Sequence, residues 1–371
     1  MAANYWESTQ RRYWQFTKEE LAAMRQKLED EDPNLVHMYP LPQLRHINIY
    51  LNRRMPFFFF FFFLDHRQCH GWLTASPTIE FNHLAKRLGV RQQALATAQV
   101  YLKRFYTRVE IRRTNPYLLV ATSLYLACKM EECPQHIRLI VQEARVLWPE
   151  TFHGQDTSKL GECEFFLISE MSSQLIVHQP YRTLTQLQGE FNLTPEESQA
   201  AWQAINDHYM TDLPLLYPPH IIGLTAILLA ITCYNRQNAA GGANAAGNSG
   251  GLVMAANALA HAQAQSQARA AAMGGNSGPG TPNLTPQGSF AGGNFSSQGG
   301  RELGDGSNPT DPKIAKMQRF TNWLAESNID IEGMIDCTQE IISFYDCHEQ
   351  YEDLVVRDNI KRFIKARGLD K

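Results

Sequence analysis

Cys128, Cys133 and His136 come closest to a metal-binding group in this 371-residue chain. Four residues separate the two cysteines and no second pair follows, so the spacing departs from the Cys-x-x-Cys pairs that hold tetrahedral zinc. No Walker A loop, G-x-G-x-x-G turn or H-E-x-x-H helix occurs, and the letters G-x-S-x-G are met only within the low-complexity stretch, at 247–251 (GNSGG). No common arrangement therefore supplies a phosphate cradle, a metal or an activated nucleophile, and no cofactor, metal ligand or catalytic residue is assigned. His178 and His208 have no Asp or Cys at a diagnostic spacing and read as surface or hydrogen-bonded histidines.

What remains is charge at the end of an apolar run. Lys129, Glu131 and Glu132 follow directly on Leu124, Ala127 and Cys128, where a central helix must leave its core. Ordinary solvation of a helix end and a binding surface both fit that spacing. The basic C-terminus (Arg357, Lys361, Arg362, Lys365, Arg367) alternates with Ile360, Phe363 and Ile364. That pattern is a solvated helix face opposite an apolar stripe, with a nuclear import signal as the second reading.

These groups are positioned by helices. Thr17 with Glu20, and Thr194 with Pro195 and Glu197, are capping boxes that start helices. After Asn115-Pro116 the run 117–130 (YLLVATSLYLACKM) is apolar nearly all round, and after Pro218-Pro219 the run 221–234 (IIGLTAILLAITCY) repeats the pattern. Such helices lie at the centre of a bundle. Each is preceded by an amphipathic helix, marked by Ala94, Ala98, Leu102, Phe105 and Val109 before the first and by Ala201, Ala204, Ile205 and Tyr209 before the second. Two tandem all-helical units follow from this spacing. No alternating strand pattern persists, so the fold class is all-α.

Composition narrows the function classes. Lys plus Arg total 34 against 37 for Asp plus Glu, a net charge of −3, which leaves no chain-wide basic field for direct nucleic-acid binding. The hydrophobic fraction of 44% builds cores, while a mean hydropathy of −0.34 argues against a membrane protein. Residues 1–12 carry Trp6, Glu7, Arg11 and Arg12 and no apolar core of a secretory signal. Seven cysteines without a Cys-x-x-Cys pair read as free thiols of a reducing compartment. Residues 235–312 are Gly, Ala, Asn, Ser and Gln with scattered Pro, the composition of a disordered linker. Their middle, 252–273, is Ala-rich without a sustained apolar face and reads as at most a transient helix.

The stretch 91–132 (RQQALATAQVYLKRFYTRVEIRRTNPYLLVATSLYLACKMEE) closely resembles the cyclin box, and the two units resemble its tandem five-helix repeats. Residues 4–10 (NYWESTQ), 162–165 (ECEF) and 206–219 (NDHYMTDLPLLYPP) are similar to the cyclin C family. The resemblance implies an N-terminal helix and lead-in over 1–40, a first box over 41–177 and a second over 178–371. It implies that Lys129 and Glu164 form the charged pair that fixes a kinase-facing surface, with Glu131 and Glu132 beside it. Tyr5 and Trp6, with Tyr13 and Trp14, either add kinase contacts or pack back onto their own box. The implied partners are a cyclin-dependent protein kinase, the other subunits of the Mediator kinase module and the RNA polymerase II holoenzyme, in the nucleus. A cyclin-fold factor of the transcription factor IIB type is the alternative, but the zinc ribbon and basic surface it would carry are missing. A helical enzyme with an unrecognised pocket is the third.

Residues 54–83 interrupt this pattern with seven consecutive phenylalanines, 57–63, a run shorter than the ~20 residues of a membrane span. Without them Arg53 meets Leu84, and Leu44, Ile47, Leu51, Leu84 and Leu88 step by three, four, three and four, as in one amphipathic helix. The segment is either a retained intron, since a pyrimidine-rich tract encodes phenylalanine, or an exposed loop. A tryptic digest of the native protein separates the two: an intron leaves no peptide from 54–83, and recovery of such a peptide establishes the loop.

Overall fold

A computed structural model describes residues 4–41, 44–54, 84–234, 249–273, 312–349 and 352–371. Among these residues there is no strand, in agreement with the all-α expectation. A 3-10 turn (Tyr5–Glu7) leads into α1 (Thr9–Tyr13), α2 (Lys18–Asp30) and α3 (Pro33–Met38). The first repeat contains α4 (Leu44–Arg54), α5 (Leu84–Arg87), α6 (Gln92–Phe105), α7 (Pro116–Met130), α8 (Ile137–Leu147) and α9 (Thr157–Glu170). The second begins with α10 (Tyr181–Leu187), α11 (Pro195–His208), α12 (Leu213–Leu216) and α13 (Pro219–Leu229), whose end widens into a π turn over Ala230–Tyr234. Then come α14 (Ser249–Met273), α15 (Pro312–Glu326), α16 (Ile331–Glu349) and α17 (Asp353–Arg367).

The local signals act where the residue types place them. Thr17 accepts from the Glu20 amide at 3.1 Å while the Glu20 carboxylate accepts from the Thr17 amide at 2.9 Å. Thr194 and Glu197 do the same at 3.2 and 2.8 Å. The Asn115 side chain accepts from the Tyr117 amide at 3.0 Å, and Pro116, which has no N–H to satisfy, opens α7.

α7 and α13 lie buried along almost their whole length. Against α7 packs α6, in which every residue from Ala94 to Phe105 is buried. The two cores meet on that helix: Ala94, Leu95, Ala98, Tyr101, Leu102 and Phe105 face the first, and Ala96 and Val100 face the second.

Two expectations change, and a third falls on residues that are not described. Ile47, Leu51, Leu84 and Leu88 share the first core, while the joined helix and the intron reading fall on 55–83, outside the described residues. The expected disordered linker over 235–312 contains α14, 25 residues long. Its Ala255, Leu259 and Ala262 stand at i, i+4 and i+7 and are buried in the second core. Two alanines and one leucine make a narrow stripe that composition alone hides, and packing against a neighbouring core makes it sufficient.

The second change concerns α17, which the sequence reading places in the second box. Its Val356, Ile360, Phe363 and Ile364 are buried in the first core instead. On its polar face, Lys361 and Lys365 both reach the Glu150 carboxylate, at 3.0 and 3.5 Å, and Arg367 donates to the Arg112 carbonyl. These three cations are engaged within the fold.

His208 is buried, with Nδ1 on the Ile205 carbonyl, so the hydrogen-bonded reading holds and the surface reading does not. Its neighbour Asp207 is also buried and accepts from the Tyr345 hydroxyl at 2.9 Å. Burial pushes the Asp207 carboxyl up to about 7, against the opposing effect of that hydrogen bond. A carboxyl whose folded pKa lies above its unfolded value keeps its proton longer in the native state, so stability falls as pH rises from about 4 to about 7. Denaturant titrations across that window should show a loss of up to about 4 kcal/mol attributable to this group. Asp207→Asn should flatten the slope, and an unchanged slope would show that Asp207 is not the titrating group.

Candidate functional site

The end of α7 and the middle of α9 meet at one ion pair. Lys129 Nζ lies 2.8 Å from Oε1 and 2.9 Å from Oε2 of Glu164, so the ammonium bridges both carboxylate oxygens. Tyr125, one turn before Lys129, places its ring 4.3 Å beneath the same ammonium. Burial disfavours the Lys129 charge, but the hydrogen bonds and charge of Glu164, aided by Tyr125, outweigh it and hold the ammonium above the ordinary lysine range.

The pair contributes little to stability. The Lys129 side chain is 41% exposed and that of Glu164 14%, and exposed pairs of this kind are worth ~0.2–1 kcal/mol. A two-point contact on an open surface orients groups there more than it holds the fold together. Its sequence neighbours are apolar and exposed: Phe165 shows 78% of its surface and Met130 41%. On α8, Leu139 and Val146 are exposed as well.

Glu131 accepts from the Thr97 hydroxyl at 2.6 Å, and Thr97 in turn accepts from the Gln179 amide at 2.7 Å. Glu132 is exposed in the left-handed region, with φ +53°. Thus Lys129 and Glu164 are brought together, Glu131 is turned onto α6, and Glu132 faces water.

Tyr5 and Trp6 belong to a different cluster. The Tyr5 hydroxyl donates to Gln15 at 2.7 Å, and its ring packs edge-on against Trp6, His178 and His220. Trp6 is 52% exposed under the Arg11 guanidinium, and Tyr13 is exposed too. Trp14 packs back into the first core. Of the N-terminal aromatics, Trp14 therefore packs back onto its own box, while Trp6 and Tyr13 stand exposed. Tyr125, Met130 and Phe165 were not singled out from the sequence. Tyr125 was within reach, because residues four apart share a helix face, whereas Thr97 is placed by tertiary packing alone.

A cavity of about 140 Å³ lies between α2, α4 and α6, with Arg25, Asn48, Lys103 and Asp212 among its lining residues. Burial pushes the Lys103 ammonium down to about 8, the kind of perturbed group an enzyme reading would need. Its Nζ is sealed from solvent, however. Asp212 is committed to a bidentate pair with Arg25 at 2.9 and 2.8 Å. Burial disfavours that carboxylate, but Arg25 outweighs it and keeps the group below its usual range. A base held in a salt bridge and an amine closed to substrate do not make an activated nucleophile. Among the described residues, no cluster of three or more His, Cys, Asp and Glu side chains is placed to hold a metal, and no helix is long and apolar enough to cross a membrane.

Residues 81–176, which hold Lys129 and Glu164, match the family described as cyclin, N-terminal domain. A chain of the CAK complex from Chaetomium thermophilum is similar at a TM-score of 0.45 and 20% identity, covering 61% of this chain and 68% of that one. That likeness is too loose to assign anything, so the assignment rests on full-length relatives. The chain is 58% identical to the RNA polymerase II holoenzyme cyclin-like subunit of Neurospora crassa, and equally so to that of Chaetomium globosum, with all of each chain covered. It is 46% identical to the protein of the same name in Aspergillus fumigatus, again over both full lengths. On these matches the chain belongs to the cyclins, in the family of RNA polymerase II holoenzyme cyclin-like subunits.

Proposed function

We propose that this protein is a non-catalytic regulatory subunit that binds a cyclin-dependent protein kinase through the face around Lys129 and Glu164 and activates it. One observation carries the reading: a bidentate ion pair, worth little to the fold, stands on an open surface beside exposed Met130 and Phe165. Such a face supplies what an interface needs, apolar anchors with an oriented charge at their centre.

The mechanism is a population shift. A kinase alone divides its time between inactive arrangements and the one in which a helix glutamate meets the catalytic lysine. A surface that fits only the second arrangement makes it dominant, to the extent of its differential affinity. In this reading Lys129 and Glu164 hold the ends of α7 and α9 in fixed relation, Met130 and Phe165 supply apolar contact, and the aromatic cluster of Tyr5 and Trp6 adds contacts specific to this kinase.

The shared name of the relatives supports a place in the RNA polymerase II holoenzyme. The resemblance to cyclin C supports the Mediator kinase module as the assembly. The output is then phosphorylation of the polymerase C-terminal domain in the nucleus, often with a repressive effect on transcription.

The test mixes the purified protein, with and without residues 54–83, with the Mediator-associated kinase and measures phosphate transfer to a polymerase tail peptide. The form lacking 54–83 is expected to activate. Lys129→Glu, which sets two carboxylates against each other, should reduce activation at least about tenfold, or 1.4 kcal/mol. Adding Glu164→Lys restores the opposite charges and should recover part of the loss. Failure of both forms to bind or activate the kinase would overturn the reading.

A further inference from the structure

α7 ends in a six-residue capping turn. The Glu131 amide closes on the Ala127 carbonyl at 2.9 Å, Glu132 takes a left-handed φ of +53°, and the Cys133 amide donates to the Cys128 carbonyl at 2.9 Å. This is the Schellman arrangement, in which the side chain after the left-handed residue folds back onto the one near the last turn, normally as an apolar contact. Here both side chains are cysteines. Each is a free thiol, Cys128 wholly buried and Cys133 partly exposed, and Cys133 packs against the core cluster that holds Cys128.

We propose that Cys128 and Cys133 are a reversible disulfide site, whose closure by a peroxide clasps the end of α7 and weakens the face that Lys129 presents. The regulatory part rests on the kinase-activating reading of that face; the disulfide chemistry does not.

The partly exposed Cys133 meets the oxidant first. Its thiolate attacks one oxygen of hydrogen peroxide, the oxygen–oxygen bond breaks, and Cys133 sulfenic acid and hydroxide result. The Cys128 sulfur then attacks the Cys133 sulfur, the sulfur–oxygen bond breaks, and the departing hydroxide leaves as water with the Cys128 proton. Overall two thiols and one peroxide give one disulfide and two waters, and the peroxide takes up the two electrons. Burial pushes the Cys128 thiol up to about 12, which disfavours it for the first attack; its place beside Cys133 in the capping turn is what lets it resolve the sulfenic acid.

The bond has a defined effect on the surface. A disulfide holds its sulfurs ~2.05 Å apart, closer than two free thiols can approach, so the turn must tighten. The four residues it encloses are Lys129, Met130, Glu131 and Glu132. Tightening therefore pulls on Lys129 against Glu164 and on Glu131 against Thr97. Cys128 is packed in the core and cannot move outward freely.

The experiment treats the full-length chain, alone and with its kinase, with hydrogen peroxide, blocks free thiols, and digests without reduction. Trypsin cuts after Arg113, Lys129 and Arg138, so the bond joins peptides 114–129 and 130–138. The joined pair should appear on oxidation and vanish with dithiothreitol. Kinase activation should fall at least about fivefold on oxidation and return on reduction. Cys133→Ser, at a partly exposed position, should activate normally when reduced, form no joined peptide and resist peroxide; Cys133→Ala serves as the second variant. Peptides that stay separate would overturn the disulfide. A joined pair with unchanged activation would overturn its regulatory role. A reduced protein that never activates the kinase sinks the kinase-activating reading instead, while the joined peptides still report on the disulfide.

Discussion

Everything in this fold depends on one helix having to serve two cores. α6 is buried on all sides from Ala94 to Phe105, yet it carries Thr97, Gln99, Lys103 and Arg104. Burying a charge without partners costs several kcal/mol; Thr97 and Arg104 find partners on neighbouring elements, whereas Gln99 and the Lys103 ammonium are buried without a hydrogen bond. Arg104 donates to the Gln174 carbonyl at 2.7 Å and lies 5.1 Å from the Trp14 ring centre. Trp14 in turn donates from its indole to the Gln174 side chain at 2.6 Å. The N-terminal segment, the first repeat and the link to the second are thus tied at one point, even though burial lowers the Arg104 pKa to about 10.

From that seam the surface pair follows. α7 packs on both α6 and α9 and leaves the core at Cys128, so the next residue, Lys129, meets Glu164 at the edge of that packing. Glu131, the last residue before the chain turns away at left-handed Glu132, accepts from Thr97 on α6. The exposed end of α7 is therefore referenced to the buried helix by a short side-chain bond. That rigidity suits a surface whose task is to select one arrangement of a partner, because selection needs a surface that does not adapt to the others.

The same cap brings two thiols together, and it does so through backbone geometry common to many helix ends. A contact that is usually filled by aliphatic side chains becomes reactive only because cysteine stands at both positions. Packing and chemistry then share a site, and a change in one is transmitted to the other over a single turn of helix.

The sequence by itself determined the helix starts at Thr17, Asn115-Pro116 and Thr194, the two apolar central runs, their tandem arrangement, and the emergence of charge at Lys129. Each of these is set by interactions within about one turn or by burial of a whole run, so residue type and spacing suffice. Tertiary structure alone decided that α17 completes the first core and that a stripe of Ala255, Leu259 and Ala262 is enough to dock α14 on the second. A weak apolar face has no preferred partner until a neighbour offers a complementary surface. The meeting of Lys129 with Glu164, 35 residues apart, belongs to the same class. Family resemblance named both residues, but spacing across a loop and a helix cannot say which side chains will touch, because that depends on how α7 and α9 are both held against one buried helix.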